Sequence, residues 1–138
     1  MNDRSKLNLY NVHPQIIQTI TTSWPRIQKL EQTFDCKIMI ICGHRPQKEQ
    51  DALYRIGRRG IKGEAKVTWT RKSKHTESPA MAVDFGLFRG KFYLDSARPK
   101  EAAEIYKALA AILCHPDGKE QPLIWGGLFG DDPHFQLT

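Results

Sequence analysis

A short glycine-centred break, Arg89-Gly90-Lys91, separates the apolar segment 81–88 from the apolar residues Phe92-Tyr93-Leu94. A break of this kind predicts a β-hairpin, and a hairpin makes its two strands antiparallel. An antiparallel sheet must therefore fit into 138 residues, the length of one ordinary domain. Hydrophobic residues at 40% and charged residues at 26% are typical of a globular chain, and they exclude a disordered tail or a coiled coil.

Helical patterns lie on both sides of this hairpin. Apolar residues recur every three or four positions from His13 to about Phe34 and from Pro99 to about Cys114, and a shorter helix is expected over 46–57. Pro25 lies inside the first helical segment, where a proline is expected to kink or break a helix.

Three more short strands are expected, over 36–42, 122–125 and 134–137. The mixed order predicts an α+β protein, a small single domain spanning 1–138 with an antiparallel sheet flanked by helices. Residues 57–74 carry three glycines and seven basic residues, which predicts a long irregular loop. Long loops in compact domains are usually functional or mobile.

The charge of the chain is basic, with 21 Lys and Arg against 15 Asp and Glu and a net charge of +6. Such a surface favours polyanions, either nucleic acid or an anionic cell wall, although solvated surface charge without a partner explains the net charge equally well. The N-terminal residues lead into no apolar segment typical of a secretory signal, so a soluble cytoplasmic protein is expected. The three cysteines lack metal-ligand spacing; buried free thiols are expected rather than a disulfide.

Two histidines stand out because each lies beside an expected strand and close to carboxylates. His75 precedes Asp84, and Asp131 precedes His134. A catalytic zinc takes three side-chain ligands and leaves one position open for water. His75, Asp84 and His134 would supply this set, with Asp131 left as an acid/base. On spacing alone, surface histidines near turns remain the simpler interpretation, since a chain with five histidines offers many such combinations.

The sequences of three segments resemble motifs of a known family. Ser73-Lys74-His75 followed by Ala82-Val83-Asp84 resembles the SxH…AxD signature of the D-alanyl-D-alanine carboxypeptidase and L-alanyl-D-glutamate endopeptidase family. These zinc peptidases include bacterial cell-wall enzymes and phage endolysins. The segment 125–135 resembles the C-terminal block of the family, and Gly43-His44-Arg45-Pro46 resembles its upstream G-x-R block. The blocks occur in the family's order and span about residues 35–138.

The resemblance implies a Hedgehog/D,D-peptidase-like fold with one zinc ion (Zn2+) per chain, bound by His75, Asp84 and His134. It further implies that Asp131 is the catalytic acid/base. Arg45 matches the arginine that steadies oxygens of the substrate, and Ser73 matches a serine expected to contact substrate.

One departure from the family pattern concerns the spacing between His75 and Asp84. Eight residues intervene where the family usually has six, and Ser78-Pro79 is expected to form a turn that absorbs the extra length. Glu77 is near enough in sequence to compete with Asp84 as a ligand. Asp132 is likewise an alternative to Asp131, although spacing favours Asp131.

These features predict a phage-type endolysin that hydrolyses the L-alanyl–D-glutamate bond of the peptidoglycan stem peptide. The alternatives are a D-alanyl-D-alanine carboxypeptidase or dipeptidase with the same site, or a non-catalytic basic module that binds cell wall or nucleic acid. For the endolysin we expect a monomer with no nucleic-acid partner and no stable membrane association. It would be made in the host cytoplasm and act on the wall after the membrane is permeabilised. Two histidines and a carboxylate would also accept cobalt or manganese.

Overall fold

The expected hairpin is present, and its first strand is the central strand of a five-stranded antiparallel sheet. In the computed structural model, which describes residues 1–138, the strands are β1 (Lys37–Cys42), β2 (Ala82–Arg89), β3 (Phe92–Tyr93), β4 (Ile124–Trp125) and β5 (His134–Gln136). β2 pairs with β1 along one edge and with both β5 and β3 along the other, and β4 extends the sheet beyond β5. The predicted α+β class with an antiparallel sheet is confirmed.

Five helices accompany the sheet. They are α1 (Asp3–Asn8), α2 (Pro14–Phe34), α3 (Gln47–Arg55), α4 (Leu94–Ala97) and α5 (Pro99–Leu113). The three helices expected from periodicity form within two residues of their expected bounds, whereas α1 and α4 were not expected because helices of six and four residues are too short to show a period. No helix is long and apolar enough to cross a membrane.

Helix α2 runs through Pro25 without a break, so of the two expected effects of this proline, a kink or a break, the break does not occur. A proline in a helix leaves the carbonyl four residues earlier, here that of Thr21, without its donor. Thr21 and Pro25 both lie on the exposed side of α2, where water can supply that hydrogen bond. Fully buried Ile20 and Ile27 hold the helix against the core on either side of the proline.

The two faces of the sheet have different roles. Phe85 and Leu87 of β2 and Phe135 of β5 are fully buried in a core that also receives apolar side chains of α2 and α5. Because side chains alternate along a strand, Asp84 and His134 project from the opposite face. The α+β core thus provides a rigid support for polar side chains on its far face.

A bulge in β1 places a third side chain on that far face. Ile40 pairs with Phe85 and Cys42 pairs with Asp84, so Ile41 is an extra residue on β1. The bulge turns Cys42 toward the side of the sheet that carries Asp84.

Gly43, directly after β1, is the glycine with the least room for a side chain. A Cβ here would lie 1.9 Å from the carbonyl oxygen of Asn8 and 2.7 Å from a methyl carbon of Val12. We expect Gly43→Ala to lower the free energy of unfolding by roughly 3 kcal/mol, since a backbone atom cannot rotate away from the added methyl. Denaturant unfolding measures the effect.

Gly60→Ala is the matched control for this substitution. Gly60 has a φ of +76° but open space around its Cβ position, so only backbone strain of about 1 kcal/mol is expected. Equal losses in the two variants would show that the close approach at Gly43 does not limit stability.

Candidate metal centre

Asp84 lies at the centre of a cluster built by the register of the sheet. His134 on β5 is directly opposite Asp84 on β2, and its Nδ1 lies 3.1 Å from Asp84 Oδ1. His75, from the loop before β2, places its Nε2 3.2 Å from Asp84 Oδ2. Each oxygen of one carboxylate therefore faces one imidazole, and the two rings lie 5.2 Å apart between centroids. The structure thus brings together the three side chains expected to bind zinc.

The turn that carries His75 is fixed by its own hydrogen bonds. The Ser73 hydroxyl oxygen accepts from the backbone N–H of His75 at 3.2 Å, and the backbone N–H of Arg45 donates to the His75 carbonyl at 2.7 Å. Ser73 therefore orders the turn, and its expected contact with substrate stays a prediction.

The long spacer between His75 and Asp84 does not separate the cluster. The N–H of Met81 donates to the carbonyl of Lys74 at 2.8 Å and closes the segment at its base. Ser78 and Pro79 lie within the closed segment and are exposed, as a turn that absorbs extra length requires. Glu77 is also exposed and takes no part in the cluster, so Asp84 is the carboxylate that the two histidines share.

The outer nitrogen of each imidazole is held by an oxygen. His75 Nδ1 lies 2.7 Å from the carbonyl oxygen of Gly43, and His134 Nε2 lies 2.8 Å from the side-chain oxygen of Gln136. Each contact requires a proton on that outer nitrogen. In the neutral imidazoles, the inner nitrogens consequently present lone pairs toward Asp84. This is the way in which proteins orient histidines that bind metals.

His75 Nε2 provides a test of whether the cluster suits a cation. The atom is buried, His75 is only 3% exposed, and Nε2 has no aligned hydrogen-bond partner although Asp84 Oδ2 is 3.2 Å away. Buried polar atoms are nearly always paired, so an unpaired one calls for an explanation. Two lone pairs and a carboxylate converging on one point repel each other unless protons or a cation lie between them. The donor set of two imidazoles and one carboxylate fits zinc.

The electrostatics of the protein groups agree with this. Burial disfavours the charged form of His75, but the nearby carboxylate of Asp84 outweighs it and raises the pKa of His75 to about 10. The pKa of His134 is raised for the same reason, against the opposing effect of burial. Burial would raise the pKa of Asp84, yet the two histidines hold it well below its usual range. The cluster thus keeps an ionised carboxylate and attracts positive charge.

Asp131 lies on the open side of the cluster. Its Oδ2 is 3.9 Å from His134 Nδ1, and its side chain is 53% exposed. The pKa of Asp131 is raised by partial burial and by the negative charge of Asp84. The neighbouring Asp132 instead contributes its backbone carbonyl, which accepts from Trp125 Nε1 at 2.7 Å. The geometry therefore favours Asp131 over Asp132 as the carboxylate beside the histidines.

Arg45 lies behind His75 without an acidic partner. Its Nη1 donates to Gln50 Oε1 at 2.8 Å, and its Nη2 approaches Cys42 Sγ at 3.4 Å. No carboxylate lies within ion-pair distance of the guanidinium. Arg45 is thus not part of an ion pair, and its charge remains available beside the cluster.

Cys42 is the member of the site that sequence reasoning missed. All three cysteines are free, as expected. The Cys42 sulfur, however, lies 3.7 Å from His75 Nδ1, and Cys42, His75 and Asp84 form one of two possible metal-binding groups. The other group contains Asp84, Asp131 and His134. In the sequence, the only sign that Cys42 lies near the site is its position directly before the Gly43-His44-Arg45 block.

Comparison with known proteins shows a likeness at the level of structure and none at the level of sequence. No protein-family model and no curated protein matches the sequence. Among solved structures, the L-Ala D-Glu endopeptidase ChiX of Serratia marcescens is similar, with a TM-score of 0.64 and 23% sequence identity. The likeness covers 100% of this chain and 89% of that chain. The chain therefore has the overall fold of ChiX, which agrees with the fold that the sequence motifs imply.

Proposed function

We propose that the protein is a zinc-dependent peptidoglycan peptidase that hydrolyses the L-alanyl–D-glutamate bond of the stem peptide. The observation that carries the proposal is the pair of histidines whose outer nitrogens are fixed by oxygens and whose inner nitrogens converge on Asp84. The name of ChiX supports the choice of bond. Residues 1–138 would form a single catalytic domain.

His75, Asp84 and His134 would hold the zinc ion, which when bound supplies a Lewis acid and lowers the pKa of water to about 7. Asp131 would take a proton from the attacking water and deliver it to the leaving amine. The position of its carboxylate on the open side of the cluster supports this role. Arg45 donates hydrogen bonds from an uncompensated guanidinium, which suits an oxygen of the substrate that gains negative charge.

Zinc binding is expected to release protons. With a pKa of about 10, His75 is protonated at pH 7.5 in the zinc-free protein, whereas zinc binds only neutral imidazole. Lowering the pH should therefore weaken the apparent affinity, by about tenfold per pH unit for each proton displaced. Calorimetric titration in two buffers of different ionisation enthalpy counts the protons. An affinity that does not change between pH 6 and 8 would contradict the expectation.

The same pKa shift has the opposite consequence for the zinc-free fold. A histidine whose folded-state pKa is raised from 6.5 to about 10 contributes its full stabilisation below pH 6.5. That stabilisation is lost as the pH rises through about 10. Acid thus favours the zinc-free protein while it disfavours the zinc complex.

The direct test of function is digestion of purified Gram-negative cell walls with and without a metal chelator. Mass spectrometry of the soluble fragments identifies the bond that is cut. Chelator-sensitive release of stem peptides lacking L-alanine supports the proposal. Loss of one terminal D-alanine would instead assign a carboxypeptidase, and no release with added zinc would leave a binding module.

The phage-type part of the proposal concerns where the protein acts. An endolysin would be made in the host cytoplasm, would function as a monomer and would reach the wall once the membrane is opened. Expression in a bacterial host tests this: the culture should lyse only after a membrane-permeabilising agent is added. Lysis without that agent would contradict it.

A further inference from the structure

The positive charge of this protein is concentrated in one segment. Residues 55–74, here called the cationic loop, contain eight basic residues and one acidic residue, a net charge of +7. Since the whole chain carries +6, all remaining residues together sum to −1. The basic members are Arg55, Arg58, Arg59, Lys62, Lys66, Arg71, Lys72 and Lys74.

The cationic loop is held in place although nearly all of it is irregular. The guanidinium of Arg58 donates to the carbonyl oxygens of Tyr54 and Thr68 and lies 3.8 Å from the centroid of the Tyr54 ring. Gln47 Nε2 on α3 donates to the carbonyl of Arg71 at 2.7 Å. Helix α3 therefore anchors the loop near its beginning and near its end.

Gln50 connects the cationic loop to the candidate metal centre. It is 1% exposed, donates from Nε2 to the carbonyl of Thr70 at 2.7 Å, and accepts from Arg45 through Oε1. Beyond Thr70, the chain reaches His75 within five residues. The loop is thus a fixed rim beside the cluster.

Most of the basic groups of the cationic loop are not neutralised. Its one ion pair joins Arg59 to Glu64, with contacts of 2.8 Å. The exposed side chains of Lys62, Lys66 and Lys72 have no carboxylate within ion-pair distance. This concentration of free charge favours a polyanion.

An exposed aromatic ring lies among these charges. Trp69 is 78% exposed, and Lys66 Nζ and the Arg58 guanidinium carbon lie 4.9 and 5.6 Å from its ring centroid. An exposed indole beside cations offers a flat apolar face together with charge. That combination suits a polymer that carries both rings and anionic groups.

We propose that the cationic loop is a second binding surface, which holds the carboxylate-bearing peptidoglycan strand whose stem peptide enters the neighbouring metal centre. This proposal rests on the proposed function. Its partner follows from position, because the rim formed by residues 55–74 lies beside the cluster at which the polymer would be cut.

Two triple variants with equal net charge test the proposal. One is Lys62→Gln, Lys66→Gln, Lys72→Gln in the loop. The matched control is Lys29→Gln, Lys100→Gln, Lys107→Gln, three exposed lysines on α2 and α5. Binding is measured by co-sedimentation with purified peptidoglycan over a range of salt concentrations. We expect the loop variant to bind about tenfold more weakly at low salt, at roughly 0.5 kcal/mol per exposed charge, and the control to bind as the parent does.

Trp69→Ala provides a second test that keeps every charge. It should weaken binding to peptidoglycan without changing the dependence of that binding on salt.

In the triple loop variant, hydrolysis of intact walls should fall relative to hydrolysis of a soluble stem peptide, by a factor similar to the loss of binding.

Three outcomes would overturn the proposal: equal binding by the two triple variants, unchanged binding by Trp69→Ala, or tighter binding of the parent to duplex DNA or anionic phospholipid vesicles than to peptidoglycan. Co-sedimentation requires no turnover. A chain that binds walls through the loop but cuts nothing would therefore refute the peptidase and leave the binding surface standing.

Discussion

We expect Asp84→Asn to remove zinc binding and, with it, measurable hydrolysis of cell walls. Both oxygens of Asp84 are used, one toward His75 and one toward His134. An amide of the same shape has no net charge and presents N–H donors to one of the two imidazoles. Changes in residues that only support metal ligands cost about 10- to 100-fold in affinity, so loss of a ligand should exceed that range. Elemental analysis after dialysis gives the zinc content, and calorimetry gives the affinity.

Glu77→Gln is the matched control for Asp84→Asn. Glu77 is the other carboxylate in the segment that follows His75, and it is exposed outside the cluster. The Glu77→Gln variant should therefore keep zinc and full activity. Retention of zinc by Asp84→Asn together with its loss in Glu77→Gln would show that the ligand has been assigned to the wrong carboxylate.

The residues of the candidate site could be predicted from the sequence because the motifs that contain them are visible in the order of residues along the chain. Recognisable sequence motifs contain His75, Asp84 and His134, and short apolar runs predict that these residues lie beside strands. Their distances depend on sheet register, which sets His134 opposite Asp84. Register is decided by packing of whole strands, so no local pattern reports it.

The groups that orient the histidines could not be predicted in the same way. A backbone carbonyl, that of Gly43, holds His75, and every residue has a carbonyl. Gln136 holds His134 from two residues away on the same strand, a spacing that is common by chance. The approach of Cys42 depends on a bulge at Ile41, which hydrophobic alternation does not reveal.

The fold shows the same division between local and tertiary effects. Periodicity predicts α2 and α5 because their buried faces repeat over several turns. The break expected at Pro25 does not occur, because Thr21 is exposed on the outer side of α2, where water can pair with its carbonyl. Packing of the helix against the core on both sides of Pro25 overrides the tendency of proline to break a helix. Only the tertiary structure determines that packing.

Asp131→Asn should reduce the rate of hydrolysis by about 10³-fold, within the range expected for loss of a general acid/base, while zinc stays bound. Asp131 Oδ2 lies 3.9 Å from His134 Nδ1, and its side chain is 53% exposed, so the cluster of His75, Asp84 and His134 does not depend on it. Steady-state rates on a soluble stem peptide, together with zinc content, measure both effects.

Asp132→Asn is the control, since the structural contact of Asp132 is made by its backbone carbonyl and not by its carboxylate. It should retain nearly full activity. Full activity in Asp131→Asn with zinc retained, or loss of activity only in Asp132→Asn, would contradict the assignment of Asp131.

Stability distinguishes a functional role of Asp131 from a structural one. Partial burial and the charge of Asp84 raise the pKa of Asp131 above its ordinary value. A carboxylate with a raised folded-state pKa is less stable ionised in the fold than in the unfolded chain, so it opposes folding above its unfolded pKa. Removing this charge in Asp131→Asn should leave the melting temperature of the zinc-free protein at pH 7 unchanged or higher. Loss of activity without loss of stability is expected of a group kept for chemistry, whereas a lower melting temperature would mark Asp131 as part of the framework.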